Sequence, residues 1–321
     1  MSTGCFISPT RSIESAIERV QLAESLGYES VYVTHIAGWE SLTVLTAYAA
    51  ATREIRVGTG VVPIYSRTPV TMAQTAATID ELSGGRLTLG LGVSHRVVVE
   101  NWHGQSIDHP VREMREYVAI VRAILRGEDP PPGEKWRSAF RLVGLDPRPQ
   151  LPIYIAALSP AMLRLAGEVA DGVLLWLCCP DYIRDVVIPE VTKGRERAGH
   201  TLKGFDIVPA VPAAVVDDPA AAFATMRRDL LPYFSLPFYR AMLERSGFAE
   251  EIAAFDAAGG EVEKMGAAIS DRFLEQLTAV GEEAAVRAGL ERYRTAGATS
   301  PCVGPISRTD FEATLRAGIA A

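Results

Sequence analysis

Two histidines stand in short segments that directly follow apolar runs, and both could move protons. His35 lies in the segment THIAGW at 34–39, and His95 lies in the segment GVSH at 92–95. A neutral imidazole takes or gives a proton near neutral pH, as hydride transfer to or from an alcohol, imine or enone requires. Trp39 adds a flat apolar side chain that could stack on a planar ring. Packing within the fold is the competing interpretation of all three residues.

A second candidate for binding is the helix start at Ser159-Pro160. A hydroxyl N-cap followed by proline is typical of a helix N-terminus, and the free N–H groups there can hold a phosphate. An ordinary helix cap is the alternative. Gly90 and Gly92 do not complete a dinucleotide fingerprint, because the third glycine is missing. They indicate close approach of either a flat cofactor or another chain segment.

Other kinds of chemistry find little support in the sequence. It contains no HExxH, GxSxG or P-loop motif, so we predict neither a metal site nor hydrolysis by a catalytic triad. The cysteines suit neither a disulfide framework nor zinc ligation, and they favour a reducing cytoplasm. There are four of them: Cys5, Cys178, Cys179 and Cys302.

Charge and hydropathy limit the partners that we expect. The 321 residues include 32 Lys and Arg against 39 Asp and Glu, which gives a formal charge of −7. This balance argues against nucleic acid or an anionic membrane surface as the main partner. The N-terminal segment lacks a signal-peptide pattern, and the longest apolar run, at 173–179, is too short to span a bilayer. We expect a cytoplasmic protein that acts on a small molecule.

The chemistry-bearing segments follow strand-like runs in a regular alternation of strands and helices. Eight strand candidates, each followed by helix, favour a (β/α)8 TIM barrel with insertions over a doubly wound sheet. We predict a single domain over 1–321, with an irregular insertion at 128–150 and a helical insertion at 213–297, between strands seven and eight. The strand candidates are residues 4–7, 30–33, 55–62, 86–92, 152–156, 172–176, 205–211 and 300–303. In such a barrel, the loops after the strands form the active-site mouth.

Several of these segments together resemble the bacterial luciferase-like family, and within it the branch that binds the deazaflavin coenzyme F420. The similarity covers residues 12–127 and 151–199 well and the C-terminal third poorly. The segments that carry it are GTGVVP at 58–63, the run from 68 to 92 that ends in LSGGRLTLGLG, residues 110–117, and AGEVADG at 166–172. As a set they are specific to the superfamily, but they separate F420 from FMN less sharply.

The resemblance implies roles for individual positions. Gly60 and Val61 stand where relatives have a non-prolyl cis peptide bond that backs the deazaflavin ring. His35 and Trp39 match the proton-handling histidine and the active-site tryptophan of sugar-phosphate dehydrogenases in this branch. Positions 92–94 and 157–159 match backbone contacts to the cofactor and its phosphate-binding turn; these residues are Gly92, Val93, Ser94, Ala157, Leu158 and Ser159.

Two positions depart from the pattern of those dehydrogenases. Thr34 stands where they have an aspartate that bonds the cofactor, and His95 stands where they have a glutamate acid. The departures argue against sugar-phosphate oxidation. We predict an F420-dependent oxidoreductase with His35, His95 and Trp39 at the catalytic centre and Thr34 among the cofactor contacts. The alternatives are a monooxygenase that uses reduced FMN and O₂, and a non-catalytic flavin-binding barrel; a homodimer is compatible with the resemblance.

Overall fold

A computed structural model describes residues 2–319 and contains a closed ring of eight parallel strands. Met1, Ala320 and Ala321, which the predicted domain 1–321 includes, lie outside the described residues. The strands in chain order are β1 Gly4–Phe6, β2 Ser30–Val33, β3 Arg56–Thr59, β4 Val62–Pro63, β5 Leu87–Gly92, β6 Ile153–Ala156, β7 Gly172–Leu175, β8 Asp206–Val215, β9 Ala279–Gly281 and β10 Cys302–Pro305.

The ring runs β1-β2-β3-β5-β6-β7-β8-β10 and closes through the pairing of β10 with β1. Every pairing between these strands is parallel, so all of their carboxyl ends meet at the same mouth. The predicted TIM barrel is therefore confirmed, and the doubly wound sheet is excluded because that sheet would have open edges.

Helices follow the strands and cover the outside of the ring. Their bounds are α1 Ile13–Ser25, α2 Ser41–Ala51, α3 Pro69–Ser83, α4 Arg96–Asn101, α5 Pro110–Leu125, α6 Pro160–Val169, α7 Pro180–Tyr182, α8 Ile188–Arg197, α9 Pro219–Phe234, α10 Pro237–Arg245, α11 Ala249–Ala257, α12 Val262–Ala268, α13 Asp271–Leu277, α14 Glu283–Thr295 and α15 Phe311–Ile319, with a π-helical turn at Ile183–Val187. Among residues 2–319, no helix is both long and apolar enough to cross a bilayer.

Local sequence signals explain where several helices begin. Ser12, Thr68 and Ser159 each accept a hydrogen bond from the backbone N–H three residues ahead, which satisfies one free donor of the first turn. Proline occupies the first helical position after Thr68 and after Ser159, where its missing N–H costs nothing. These helices begin where the sequence predicted, so the loops that precede them have fixed lengths.

The insertion after β8 differs in part from the prediction. Residues 213–215, which we assigned to the helical insertion 213–297, belong to β8, because all three pair with the short strand β9 and Ala213 also pairs with β10. The insertion also contains β9 itself, so it is not purely helical. Five helices, α9–α13, precede β9, and α14 follows it. The other predicted insertion, at 128–150, contains neither helix nor strand.

The barrel interior is filled with side chains, and an apolar layer closes it at the carboxyl ends of the strands. Tyr32, Tyr154, Leu174, Val208 and Cys302 form a buried cluster inside the ring. Phe6 and Val61 pack on this cluster but are only partly buried, and they form what we call the barrel floor. The interior is therefore not a channel, and a ligand must lie above the floor at the carboxyl ends of the strands.

Candidate active site

The ring of His35 is anchored through one of its two nitrogens. His35 is the second residue after β2; its Nδ1 lies 3.0 Å from the Ser41 hydroxyl and accepts a weaker hydrogen bond, at 3.4 Å, from the Ser41 backbone N–H. Nε2 has no hydrogen-bond partner among residues 2–319, and it is not sealed from solvent. Because a hydroxyl both donates and accepts, Ser41 can hold the ring in either protonation state. The arrangement leaves Nε2 available for proton transfer.

Charged neighbours act on His35 in opposite directions. Burial lowers the pKa of His35 below its ordinary value, and Arg67 and His103 add to this effect. Glu40 opposes it, because its carboxylate lies 3.5 Å from Nδ1. The resulting lowered pKa favours a neutral imidazole at neutral pH.

Glu40 is itself held in place by two neighbours. Its carboxylate caps α2 by accepting hydrogen bonds from Leu42 and Thr43, and it pairs with Arg67 at 3.0 Å. Burial acts to raise the pKa of Glu40, but the hydrogen bonds from Thr43 and Arg67 outweigh burial and hold that pKa low. The carboxylate therefore stays charged beside the imidazole, and the start of α2 fixes its position.

His95 has a different environment. It occupies the N-cap position of α4, but its side chain makes no capping hydrogen bond. The ring packs instead against Tyr239 of the insertion, with 5.6 Å between ring centroids. Burial lowers the pKa of His95. No hydrogen bond between described residues joins His35 to His95, so the two imidazoles do not form a direct relay.

The other two predicted residues after β2, Thr34 and Trp39, differ in their exposure. The hydroxyl of Thr34 lies 2.9 Å from the hydroxyl of Ser8, which follows β1, and its backbone N–H donates to the same oxygen. Trp39 is 43% exposed at the end of the same loop. Thr34 therefore joins the ends of two neighbouring strands, and Trp39 lies at the outer edge of the mouth.

The peptide bond between Gly60 and Val61 is cis, as the resemblance implied. It separates β3 from β4, and it places Val61 directly beside Gly92 of β5. A Cβ atom at Gly92 would lie 2.6 Å from Val61 Cγ2 and 3.6 Å from the Ala156 side chain. The glycine is thus required by the approach of another chain segment, which is one of the two interpretations that the sequence left open.

Ser94 has a left-handed backbone conformation with φ 58°, and it follows Val93 at the end of β5. Leu177 and Arg308 are the other non-glycine residues with positive φ among residues 2–319, and they follow β7 and β10. A non-glycine residue in this region costs about 1–3 kcal/mol. All three residues with this unfavourable backbone conformation therefore lie in loops at the barrel mouth.

The predicted phosphate-binding turn follows β6. Ala157 donates its N–H to the Leu174 carbonyl at 3.4 Å, which ties the turn to β7. The Leu158 carbonyl accepts a hydrogen bond from Tyr182, and Ser159 caps the first turn of α6. The turn is therefore fixed from both sides, with the N-terminus of α6 at the strand end.

Sequence reasoning missed the residues that hold His35. In the sequence, Glu40 and Ser41 indicate only the approach to a helix, and Arg67 belongs to a different loop. The one available signal was the polar pair at 40–41, which stands at the start of α2 five and six residues after the histidine. Tyr239 was missed as well, because nothing in its local sequence predicts that the insertion folds back over the barrel.

Comparisons with known proteins agree with this fold and identify the family. The family model described as luciferase-like monooxygenase matches residues 1–300. The chain belongs to this family. A 5,10-methylenetetrahydromethanopterin reductase of Archaeoglobus fulgidus is 32% identical over 234 residues, which cover 72% of this chain and 69% of the relative. The family member described here therefore shares most of its length with a curated enzyme.

Solved structures of the family share the same architecture. The coenzyme F420-dependent tetrahydromethanopterin reductase of Methanopyrus kandleri superimposes with a TM-score of 0.82 at 23% identity, and the match covers 99% of this chain and 97% of that chain. An F420-dependent secondary alcohol dehydrogenase, solved with an F420-acetone adduct, gives a TM-score of 0.77 at 19% identity, with coverage of 99% and 98%. At these identities, the likeness confirms the fold.

Proposed function

We propose that this family member is an F420-dependent oxidoreductase that exchanges a hydride with a small alcohol, imine or activated alkene. The observation that carries the proposal is the anchored His35, whose Nε2 is free at the barrel mouth. The proposal is supported by relatives that are named as reductases and by the F420 named in the two solved structures.

The residues at the mouth fit a flat, mostly apolar ring. Phe6 and Val61 form a partly exposed apolar floor, and Gly92 lets Val61 lie flush against β5. A broad ring could rest on this floor without burying an unpaired polar group. Thr34, Gly60 and the backbone at 92–94 would line its edges in this arrangement.

The turn after β6 would hold the phosphate of such a coenzyme. Ser159 uses its hydroxyl to cap the N–H of Met162, Pro160 has no N–H, and the N–H of Leu163 donates to the Ser159 carbonyl. In the first turn of α6, the N–H of Ala161 therefore has no partner among the described residues, and this group and the helix dipole favour an anion at that end. Ala157 and Leu158 would supply the neighbouring backbone contacts.

The protein's part in the chemistry is proton transfer and orientation. When bound, the deazaflavin supplies the site that gives or accepts the hydride. His35 Nε2 would hold or deliver the proton at the substrate heteroatom, while Ser41 and Glu40 hold Nδ1 on the far side of the ring. His95 would assist at the edge of the site, and Trp39 would exclude water from its outer side.

Separate measurements of the binding of the two coenzymes test the proposal. Equilibrium dialysis of the purified protein against coenzyme F420 and, separately, against FMN gives the two dissociation constants. We expect F420 to bind at least tenfold more tightly. A preference for FMN would instead support the luciferase-like monooxygenase alternative, which the description of the family model favours. Failure to bind either coenzyme would support a barrel without catalysis.

A further inference from the structure

Five large apolar side chains are exposed at the mouth of the barrel. Among residues 2–319 there are eight exposed large apolar residues, and five of these follow β2, follow β5 or lie on α10. Such side chains normally mark a binding surface when they occur together. We call this set the mouth rim: Ile36 (64% exposed), Trp39 (43%), Val97 (52%), Trp102 (56%) and Phe238 (48%).

Helix α4 carries one segment of the mouth rim and packs against a second. At its N-terminal end, His95 packs against Tyr239, the neighbour of Phe238 on α10. At its other end, Trp102 precedes His103, which is close enough to His35 to lower its pKa. Six helical residues span about 9 Å. Val97 and Trp102 therefore lie on α4 and directly after it, and this helix reaches from the contact with α10 towards the loop that contains His35.

The inner side of the rim continues into a chain of aromatic rings. Tyr239 packs on Tyr233 with ring centroids 4.9 Å apart, and Tyr233 packs on Trp176 at 6.0 Å. Trp176 follows β7 at the mouth, and its buried Nε1 has no hydrogen-bond partner among residues 2–319. The helical insertion thus provides an aromatic wall that extends from His95 to the end of β7.

Three arginines beside the rim have carboxylate partners. Arg67 pairs with Glu40, Arg96 with Glu100, and Arg240 with Asp256. A phosphate or carboxylate on the substrate would have to displace one of these partners in order to pair with any of the three arginines. A neutral, apolar molecule needs no such partner, and it matches the exposed side chains of the rim.

Two surface clefts on the insertion offer no competing site. One is lined by Arg240 and Asp256, and the other by Arg227 and Arg292. Their arginines bond to carboxylates or to backbone carbonyls, and neither cleft contains a predicted site residue.

We propose that the substrate is a neutral, predominantly apolar ketone or enone whose hydrocarbon part packs between the mouth rim and the aromatic wall. This inference rests on the proposed function for the reacting group, but the apolar surface that carries it is independent of the coenzyme. Tyr239 would limit how deeply the substrate reaches beside His95.

A matched pair of probes tests the inference. 2-Acetonaphthone is a neutral aryl ketone, and 6-acetyl-2-naphthoate is the same molecule with a carboxylate. Equilibrium dialysis with and without saturating F420 measures the binding of each. We expect saturable binding of the neutral ketone that is at least tenfold tighter than binding of the carboxylate. Equal affinities, tighter binding of the carboxylate, or no saturable binding of the ketone would overturn the inference.

Variants locate the binding surface. Trp102→Ser and Phe238→Ser should each weaken binding of 2-acetonaphthone about five- to tenfold, because each removes a large apolar contact. Val143→Ser is the matched control, since Val143 is 92% exposed on the other insertion, and it should bind like the wild type. Unchanged binding in both rim variants would exclude the mouth rim.

Two further measurements distinguish a substrate surface from a subunit interface and from the coenzyme site. Sedimentation should give the same mass for the wild type and for the rim variants. If the wild type is a dimer and the rim variants are monomers that still bind the ketone, the rim is a subunit interface. Dialysis with F420 alone tests the proposed function. If the protein binds the ketone as expected but does not bind F420, the proposed function is rejected and the apolar site is kept. If the protein binds F420 but does not bind the ketone as expected, only the apolar site is rejected.

Discussion

At the scale of single residues, the surroundings of His35 determine what it can do. One ring nitrogen is bonded to Ser41 and faces Glu40, while the other is free, so the ring has a fixed orientation with one reactive side. His95 lacks such anchoring and packs on an aromatic ring instead. We therefore expect the two histidines to contribute unequally to catalysis.

Removal of His35 should affect turnover more than coenzyme binding. We expect His35→Ala to lower kcat by roughly 10²- to 10⁴-fold, the usual contribution of a positioned acid or base. Affinity for F420 should stay near the wild-type value, because the imidazole acts on the substrate. His200→Ala, at an exposed position far along the chain, is the control for a histidine substitution. Wild-type turnover in His35→Ala would remove this residue from the mechanism.

The charges around His35 should move its pKa in opposite directions. Glu40→Gln removes the group that raises the pKa of His35, so that pKa should fall further. Arg67→Gln removes a positive charge that lowers it, so the pKa should rise. NMR titration of the imidazole protons measures both shifts, and with only five histidines His35 can be assigned by substitution. Shifts of the same sign in both variants would contradict this electrostatic account.

The same lowered pKa has a consequence for stability. The folded protein resists protonation of His35, whereas the unfolded chain takes up a proton near pH 6.5. The unfolded state therefore binds more protons below that pH, and the contribution of His35 to stability falls as the pH drops through this value. Above pH 6.5, His35 is neutral in both the folded and the unfolded state, so its contribution to the free energy of unfolding does not change with pH.

At the scale of elements, the barrel wall depends on close contact between neighbouring strands. Gly90 lies in β5 against the end of β3, and a Cβ atom there would overlap the carbonyl oxygen of Thr59 and the side chain of Leu174. Because Thr59 also bonds Gly90 through its hydroxyl, at 2.7 Å to the carbonyl and 2.8 Å to the N–H, neither strand can move away easily. Glycine is required here by packing.

An alanine at Gly90 should therefore destabilise the protein. We expect Gly90→Ala to lower the free energy of unfolding by about 1–3 kcal/mol, the usual cost of overpacking. Gly266→Ala in α12 is the matched control, because nothing lies within 4 Å of the added methyl group, and it should raise stability by up to about 1 kcal/mol. Urea denaturation of both variants provides the measurement. A neutral Gly90→Ala would show that the strands can adjust.

At the scale of the whole molecule, coenzyme binding should stabilise the fold, because the proposed site joins several strand ends. A ligand present at 100 times its dissociation constant adds about 2.7 kcal/mol to the native state. For a chain of this size, we expect this to raise Tm by about 3–6 °C. Thermal unfolding monitored by circular dichroism, with F420 or FMN at equal concentration, measures the difference. A larger shift with FMN would favour the monooxygenase alternative.

Much of the architecture follows from local sequence signals. The alternation of strands and helices, the N-caps Ser12, Thr68 and Ser159, and the position of His35 after β2 are all properties of short segments. The end of β8 is not. The strand candidate 205–211 ended too early: β8 continues to Val215 because β10 pairs with it as far as Ala213 and β9 pairs with residues 213–215.

The sequence alone determined which residues reach the barrel mouth, because strand ends and helix starts are set by neighbours along the chain. Only the tertiary structure decided which of these residues meet. Arg67 joins Glu40 and His35 from a separate loop, and Tyr239 reaches His95 from an insertion more than 140 residues later in the chain. Such contacts depend on how the barrel closes and how the inserted helices pack on it, and the side-chain pattern within a segment carries no information about that packing.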